Sequence, residues 1–132
     1  MPYLAIVTAL ALLEYMWISI EVGRARAKYG IKAPATSGDP IFDRTFRVHQ
    51  NTLEQLMVFI PSLWLFGTYV SPVWGALIGL VFLAGRFVYF RGYVSDPEKR
   101  GAGFGLGFMA NIVLLLGGLI GALLVLFSAA AS

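Results

Sequence analysis

Four long apolar stretches constrain the fold more than any other feature of this sequence. They lie at about residues 3–22, 48–70, 73–93 and 104–128. Each is close to the roughly 20 residues that a helix needs to cross a bilayer. Because backbone groups in lipid must be hydrogen-bonded within their own segment, such stretches are helical. We therefore expect an all-α integral membrane protein, a single domain over residues 1–132 that folds as an up-down-up-down four-helix bundle.

The composition excludes a water-soluble domain and several kinds of chemistry. Hydrophobic residues make up 58% of the chain and charged residues only 13%, far from the balance of soluble domains. The sequence has no cysteine and one histidine, which excludes disulfides, a cysteine nucleophile and a thiolate or histidine metal cluster. We expect no metal, and any thiol chemistry must use a thiol that comes from outside.

The charged residues predict a multi-pass topology. The formal net charge is +3, and the ten Lys and Arg residues lie mainly in the first and third connections, whereas the second, "YVSPVW", has no charge. Since basic loops are retained in the cytoplasm, loops 1 and 3 should be cytoplasmic and both termini should lie on the opposite side. Membrane retention explains this basic character better than nucleic-acid binding does.

Small residues recur at four-residue spacing in the last two apolar stretches. The pairs are Gly75 with Gly79 and Gly117 with Gly121. Such pairs let helices approach closely. The sequence leaves open whether they serve packing within the chain or a subunit interface.

A polar stripe precedes the second apolar stretch, in the segment "FRVHQNTLEQ". On a helix Arg47, Asn51 and Glu54 fall at i, i+4 and i+7 and therefore share one face. His49 and Gln55 point elsewhere, toward a neighbouring helix or subunit. Because lipid rejects such groups, the stripe must face protein or a ligand.

A second stripe lies near the end of the third stretch, in "GRFVYFRGY". Arg86, Tyr89 and Tyr93 fall at i, i+3 and i+7, at the same membrane boundary as the first stripe. Arg100 follows at the entry to the fourth stretch, where a helix N-terminus adds partial positive charge.

These groups admit a plain interpretation and a functional one. An Arg47–Glu54 ion pair could pin two helices, while the tyrosines form an aromatic belt and the arginines extend to the interface. Taken together, however, the groups exceed what anchoring requires, and they match a small zwitterionic, peptide-like ligand. Their excess positive charge would also stabilise a thiolate.

The two segments "FRVHQNTLEQ" and "GRFVYFRGYVSDPEKR" resemble the superfamily of membrane-associated proteins in eicosanoid and glutathione metabolism (MAPEG). The resemblance extends over most of the chain and includes a basic first loop with a Gly-Asp-Pro turn. Bacterial members of the microsomal glutathione transferase type look most similar, which implies a bacterial inner-membrane protein.

The resemblance implies a homotrimer that holds glutathione, its co-substrate, between adjacent subunits near the cytoplasmic face. Arg100 corresponds to the catalytic arginine that stabilises the thiolate. One subunit would grip the tripeptide through its second helix, supported from the first helix, and the neighbouring subunit would add the second stripe. The implied glutathione-binding residues are Arg26, Arg47, His49, Asn51, Glu54, Arg86, Tyr89 and Tyr93.

The expected function is therefore a membrane-bound glutathione transferase that attacks lipophilic electrophiles from the bilayer, with possible glutathione-dependent peroxidase activity on lipid hydroperoxides. A non-catalytic lipid-binding scaffold of the same fold is the alternative, and a small transporter that uses Glu14 and Glu54 is a third. Ala27 stands where leukotriene-type relatives have a second arginine, which argues against a leukotriene substrate.

Overall fold

The computed structural model describes residues 1–131 as an antiparallel bundle of four helices. Leu4, near the start of the first helix, packs against Gly67, near the end of the second. Gly121, late in the last helix, lies against Tyr69. Consecutive helices therefore alternate in direction, and the predicted all-α four-helix membrane bundle is confirmed. The helices are α1 (Pro2–Tyr29), α2 (Pro40–Tyr69), α3 (Pro72–Ser95) and α4 (Arg100–Ala131), with a short 3₁₀ turn at Pro97–Lys99 before α4.

All four helices are longer than the apolar stretches from which they were predicted. Helix α2 begins at Pro40 because Asp39 caps it: the Asp39 carboxylate accepts hydrogen bonds from the amides of Ile41 (2.9 Å) and Phe42 (3.1 Å). Helix α1 continues to Tyr29 and ends at Gly30, whose left-handed backbone (φ 69°) suits glycine. Apolar runs mark the part of a helix that lies in lipid, whereas caps mark where the helix ends.

Three segments within residues 1–131 are long and apolar enough to cross a membrane. An 18-residue window has a mean hydropathy of 1.8 in α1, 1.8 in α3 and 2.7 in the segment Pro97–Ala131. Helix α2 is more polar because its first half carries several charged side chains, but it packs against all three other helices. The protein therefore combines three strongly apolar helices with one more polar helix, and the chain is a membrane protein.

Glycines bring α3 and α4 into backbone contact near Tyr89, one of the predicted site residues. A Cβ atom at Gly103 would overlap the backbone of Tyr89, and a Cβ at Gly85 would lie 2.8 Å from the amide nitrogen of Gly107. No side chain fits between the two helices there. The α4 backbone therefore fixes the position of Tyr89.

The glycine pairs singled out in the sequence serve packing within the chain. A Cβ at Gly79 would lie 2.7 Å from Val7 of α1, and a Cβ at Gly117 would lie 2.7 Å from Phe66 of α2. The sequence left open whether these glycines serve packing within the chain or a subunit interface, and packing within the chain accounts for their positions. The tighter contact of Gly85 with Gly103 and Gly107 also uses small residues four positions apart on α4, but the sequence analysis did not single out this pair.

We expect Gly103→Ala to destabilise the protein by about 1–3 kcal/mol, because overpacking forces α3 and α4 apart. Gly105→Ala is the matched control on the same helix, since a Cβ there meets nothing within 4 Å. The control should be neutral or slightly stabilising, as alanine is the better helix former. Thermal unfolding in detergent would measure both, and equal stability of the two variants would contradict the close contact.

Candidate functional site

A polar pocket of about 360 Å³ opens between α2, α3 and α4 at the basic end of the bundle. It brings together five of the side chains predicted from the sequence, with two guanidinium groups, two phenols and an amide. Two further residues, at the start of α4, complete the wall. The lining residues are Arg47, Asn51, Tyr89, Tyr93, Arg100, Gly101 and Phe104.

Arg86 does not line this pocket but supports it from behind. Its side chain is fully buried, with a residue exposure of 1%. Its Nη2 atom donates to Asn51 Oδ1 (2.9 Å) and to Thr52 Oγ1 (2.8 Å). Its guanidinium also lies 4.4 Å from the centroid of the Tyr89 ring. Arg86 was predicted to bind the ligand directly, whereas here its bonds hold two pocket residues, Asn51 and Tyr89, in place.

The two polar stripes meet within one chain. The family resemblance led us to assign the α2 stripe to one subunit and the α3 stripe to its neighbour. The hydrogen bond from Arg86 to Asn51 instead joins α3 to α2 in the same protomer. Arg47 and Arg100 line the pocket together with Tyr89, and Arg86 lies against the Tyr89 ring, so three guanidinium groups lie near one phenol.

Tyr89 and Tyr93 form an aromatic wall. Their rings stack with centroids 5.5 Å apart, and Phe104 of α4 lies 6.1 Å from Tyr89. One helical turn separates the two tyrosines, which explains why both hydroxyl-bearing rings face the same side. The wall offers phenolic donors beside an apolar surface, suited to a ligand that is polar at one end.

The two arginines of the pocket mouth have different environments. Arg100 opens α4, is exposed, and donates from Nη1 to the carbonyl oxygen of Pro97 (3.0 Å). Arg47 lies 3.6 Å from Glu54, with about half of each side chain exposed to solvent. Such an exposed pair contributes little stability. Each guanidinium group engages only its Nη1 atom in these contacts, so both keep further N–H donors for an anion.

Glu54 lies at the edge of a second, apolar groove between α1 and α2. This groove has a volume of about 900 Å³ and is lined mostly by aliphatic side chains, including Leu12, Met57 and Ile60. Since Arg47 lines the polar pocket and Glu54 the groove, their ion pair stands where the two hollows adjoin. A polar and an apolar compartment thus border one another.

Besides Arg86 and Glu54, two further predicted residues lie outside the polar pocket. Arg26 donates to the carbonyl oxygen of Ala35 (2.7 Å) in the first connection, and its guanidinium lies over the Phe42 ring. His49 hydrogen-bonds Ser19 of α1 (2.9 Å) and stacks on Tyr15. His49 is two residues from Arg47, so it faces the opposite side of α2. Within a single chain neither residue reaches the pocket.

Buried polar groups behind the pocket include Asn111, which the sequence analysis missed. Asn111 donates to Gln55 Oε1 (3.2 Å), and its own Oδ1 has no hydrogen-bond partner within residues 1–131, as is also true of Arg86 Nε. Glu14, half-buried in α1, interacts electrostatically with Arg86. Asn111 could have been found from the sequence because it is a lone amide within the apolar run of α4. An amide exposed to lipid is costly, which indicates that Asn111 faces protein. Within residues 1–131 no group of His, Asp and Glu side chains could hold a metal ion.

Sequence comparisons identify relatives over nearly the whole chain. The chain is 49% identical over 116 residues to an uncharacterised protein of Synechocystis sp., covering 88% of this chain and 85% of that protein. It is 41% identical over 114 residues to microsomal glutathione S-transferase 2 of Homo sapiens, covering 85% and 78%. It is 38% identical over 97 residues to leukotriene C4 synthase of Cavia porcellus, covering 74% and 65%.

The match to a family is equally extensive. A sequence profile described as the MAPEG family matches residues 4–120, which include all the residues of the polar pocket. The resemblance inferred from the two polar segments is confirmed: this four-helix membrane protein belongs to the MAPEG family.

Proposed function

We propose that this protein is a membrane-bound glutathione transferase. The observation that carries the proposal is the pocket in which Arg47, Asn51, Tyr89, Tyr93 and Arg100 converge within one chain. Relatives named glutathione transferases support it. A scaffold that binds only lipid would have no need of so many charged and phenolic groups around one hollow.

Glutathione matches the chemical groups of the pocket and its rim. The tripeptide has two carboxylates, which suit guanidinium donors such as that of Arg47. Its ammonium group suits the half-exposed carboxylate of Glu54, and its peptide amides suit Asn51, whose side chain both donates and accepts. Arg86 holds the Asn51 carboxamide oxygen, which leaves the amide NH₂ to face the ligand.

Arg100 is the proposed catalytic residue. A free thiol has a pKa of about 8.5, and a nearby guanidinium favours the thiolate. Lowering the pKa of the thiol by ~2 units requires about 2.7 kcal/mol, within reach of one partly desolvated charge. The thiol proton leaves to water at the exposed mouth. The thiolate then forms a carbon–sulfur bond to the electrophile, whose leaving group departs or whose double bond takes up the electron pair.

The bilayer supplies the second substrate. Lipophilic electrophiles concentrate among lipid chains, and the apolar groove beside Glu54 gives them a route along α1 and α2. The same thiolate could attack a lipid hydroperoxide, which would yield an alcohol and oxidised glutathione after a second glutathione reacts. This peroxidase activity is a secondary part of the proposal.

We further propose a homotrimer as the working form and a single domain over residues 1–132. Each pocket opens on the surface of a single chain, where lipid would otherwise cover part of a polar site. A neighbouring copy would close it and could present Arg26 and His49, which lie outside the pocket in their own chain. We propose that the site lies at the cytoplasmic face of a bacterial inner membrane, which the positive charge of loops 1 and 3 supports.

Replacing Arg100 with Ala should lower turnover at neutral pH by about tenfold to a hundredfold, because less of the bound thiol is ionised. The wild-type rate should level off near neutral pH, whereas the variant's rate should keep rising with pH until the thiol ionises unaided. Turnover of a chromogenic aryl halide across a pH series measures this. Arg91→Ala, which removes a guanidinium outside the pocket, is the control. If turnover depends on pH in the same way in the Arg100→Ala and Arg91→Ala variants, Arg100 has no part in the mechanism.

Replacing Glu54 with Gln should weaken glutathione binding by roughly tenfold or more, because a charge-assisted hydrogen bond to the ammonium group is lost. Titration calorimetry on the purified protein in detergent measures the affinity. Glu21→Gln, on α1, should leave it unchanged. If the folded wild-type protein gives no heat of binding with glutathione, the scaffold alternative is correct.

Replacing Thr52 with Val should weaken glutathione binding about threefold to tenfold, since Arg86 loses one acceptor and holds Asn51 less firmly. Thr45→Val is a matched control: both threonines are buried on α2 and donate to the carbonyl four residues earlier, but only Thr52 contacts Arg86. A rise in the Kd with little change in kcat at saturation identifies a positioning role. Equal affinities of the two variants would show that the Arg86 contact does not matter for binding.

A further inference from the structure

A second basic hollow lies on another face of the same end of the bundle. The last turns of α1 and α3 and the first turns of α2 enclose a groove of about 420 Å³. It shares no lining residue with the polar pocket. Helix α3 lies between the two hollows: Tyr89 and Tyr93 line the pocket, whereas the next residues along the chain, Phe90 and Val94, line the groove.

The groove has an apolar wall and a cationic rim. Phe90, Val94 and Ile41 supply the apolar surface, while Arg24 and Lys28 of α1 supply the positive charge. Arg24 and Lys28 are one helical turn apart and therefore share a face. This arrangement suits an amphiphile with an anionic head better than a soluble ion.

The charges of the rim are not all neutralised within the chain. Arg24 pairs with Glu21, which also lines the groove, at 3.1 Å. Lys28 has no carboxylate within salt-bridge distance in residues 1–131, and its ammonium group lies 5.4 Å from the centroid of the Tyr29 ring. Arg44 adds a third cation at the edge, where it donates to the carbonyl oxygen of Val94 (3.4 Å). The groove therefore has a net positive charge.

The groove lies where lipid headgroups would be found. Just before it, α1 exposes apolar side chains such as Met16 and Ile20, which are 60% and 59% exposed. From Arg24 onward the same helix is basic. The change from apolar to basic surface marks the boundary between hydrocarbon and headgroups.

We propose that this groove is a binding site for an anionic phospholipid. The phosphate lies between Arg24 and Lys28, and one acyl chain runs along Phe90 and Val94. The lipid thereby bridges three helices at the end of the bundle that carries the pocket. Glu21 offsets one of the two rim cations, at 3.1 Å from Arg24, which leaves a net positive charge that favours an anionic headgroup over a zwitterionic one.

The test is lipid retention by the full-length protein in detergent, measured by native mass spectrometry with phosphatidylglycerol, phosphatidylethanolamine or phosphatidylcholine of matched chains. Wild-type protein should retain phosphatidylglycerol at least tenfold more tightly than either zwitterionic lipid. The double variant Arg24→Gln/Lys28→Gln should weaken phosphatidylglycerol binding by about tenfold or more, since each cation near a headgroup contributes substantially.

The double variant Lys32→Gln/Arg91→Gln is the matched control. It removes the same charge from the basic end, but neither residue lines the groove. It should retain phosphatidylglycerol as the wild type does, and glutathione binding should be unchanged in both double variants. Equal loss in the two double variants, or no preference of the wild type for the anionic lipid, would overturn the proposal. Competition by inorganic phosphate at equal concentration would also overturn it, since the site would then bind free anions.

Discussion

The buried guanidinium of Arg86 is the interaction on which the rest of the structure depends. A charged group inside a membrane bundle is costly unless it is fully hydrogen-bonded and paired. Asn51 and Thr52 of α2 accept hydrogen bonds from its Nη2 atom and Tyr89 of α3 offers a ring face, which offset part of this cost, while its Nε atom has no hydrogen-bond partner within residues 1–131. One side chain therefore links α2 to α3 and, through Asn51 and Tyr89, fixes the geometry of the pocket.

A polar helix can lie in a membrane protein only if its neighbours shield it. Helix α2 carries most of the intramembrane polar groups and packs against each of the other helices, which present apolar surface to lipid. Apolar contacts complete the core on the far side of Arg86, where the rings of Phe59 and Phe82 stack with centroids 3.9 Å apart. The polar network occupies one end of the bundle and an apolar core the other.

Much of this arrangement could be predicted because helical periodicity alone places residues on a face. The spacing of Arg47 and Asn51, and that of Tyr89 and Tyr93, predicted two stripes, and the structure places both on one pocket. Periodicity does not specify depth within the bundle, so it could not distinguish Arg86, which is buried behind the pocket, from the arginines at its mouth. Nor could the sequence assign His49 to a partner, because its contacts with Ser19 and Tyr15 depend on how α1 crosses α2.

The backbone contact between α3 and α4 has a consequence for how this protein can diverge. Where Gly103 meets Tyr89, the spacing of the helices is set by main-chain atoms rather than by the shapes of neighbouring side chains. The lipid-facing residues of both helices can then change as membranes differ in thickness or composition, without displacing the aromatic wall. The sequence of the lipid-facing surface can therefore diverge while the geometry of the pocket stays the same.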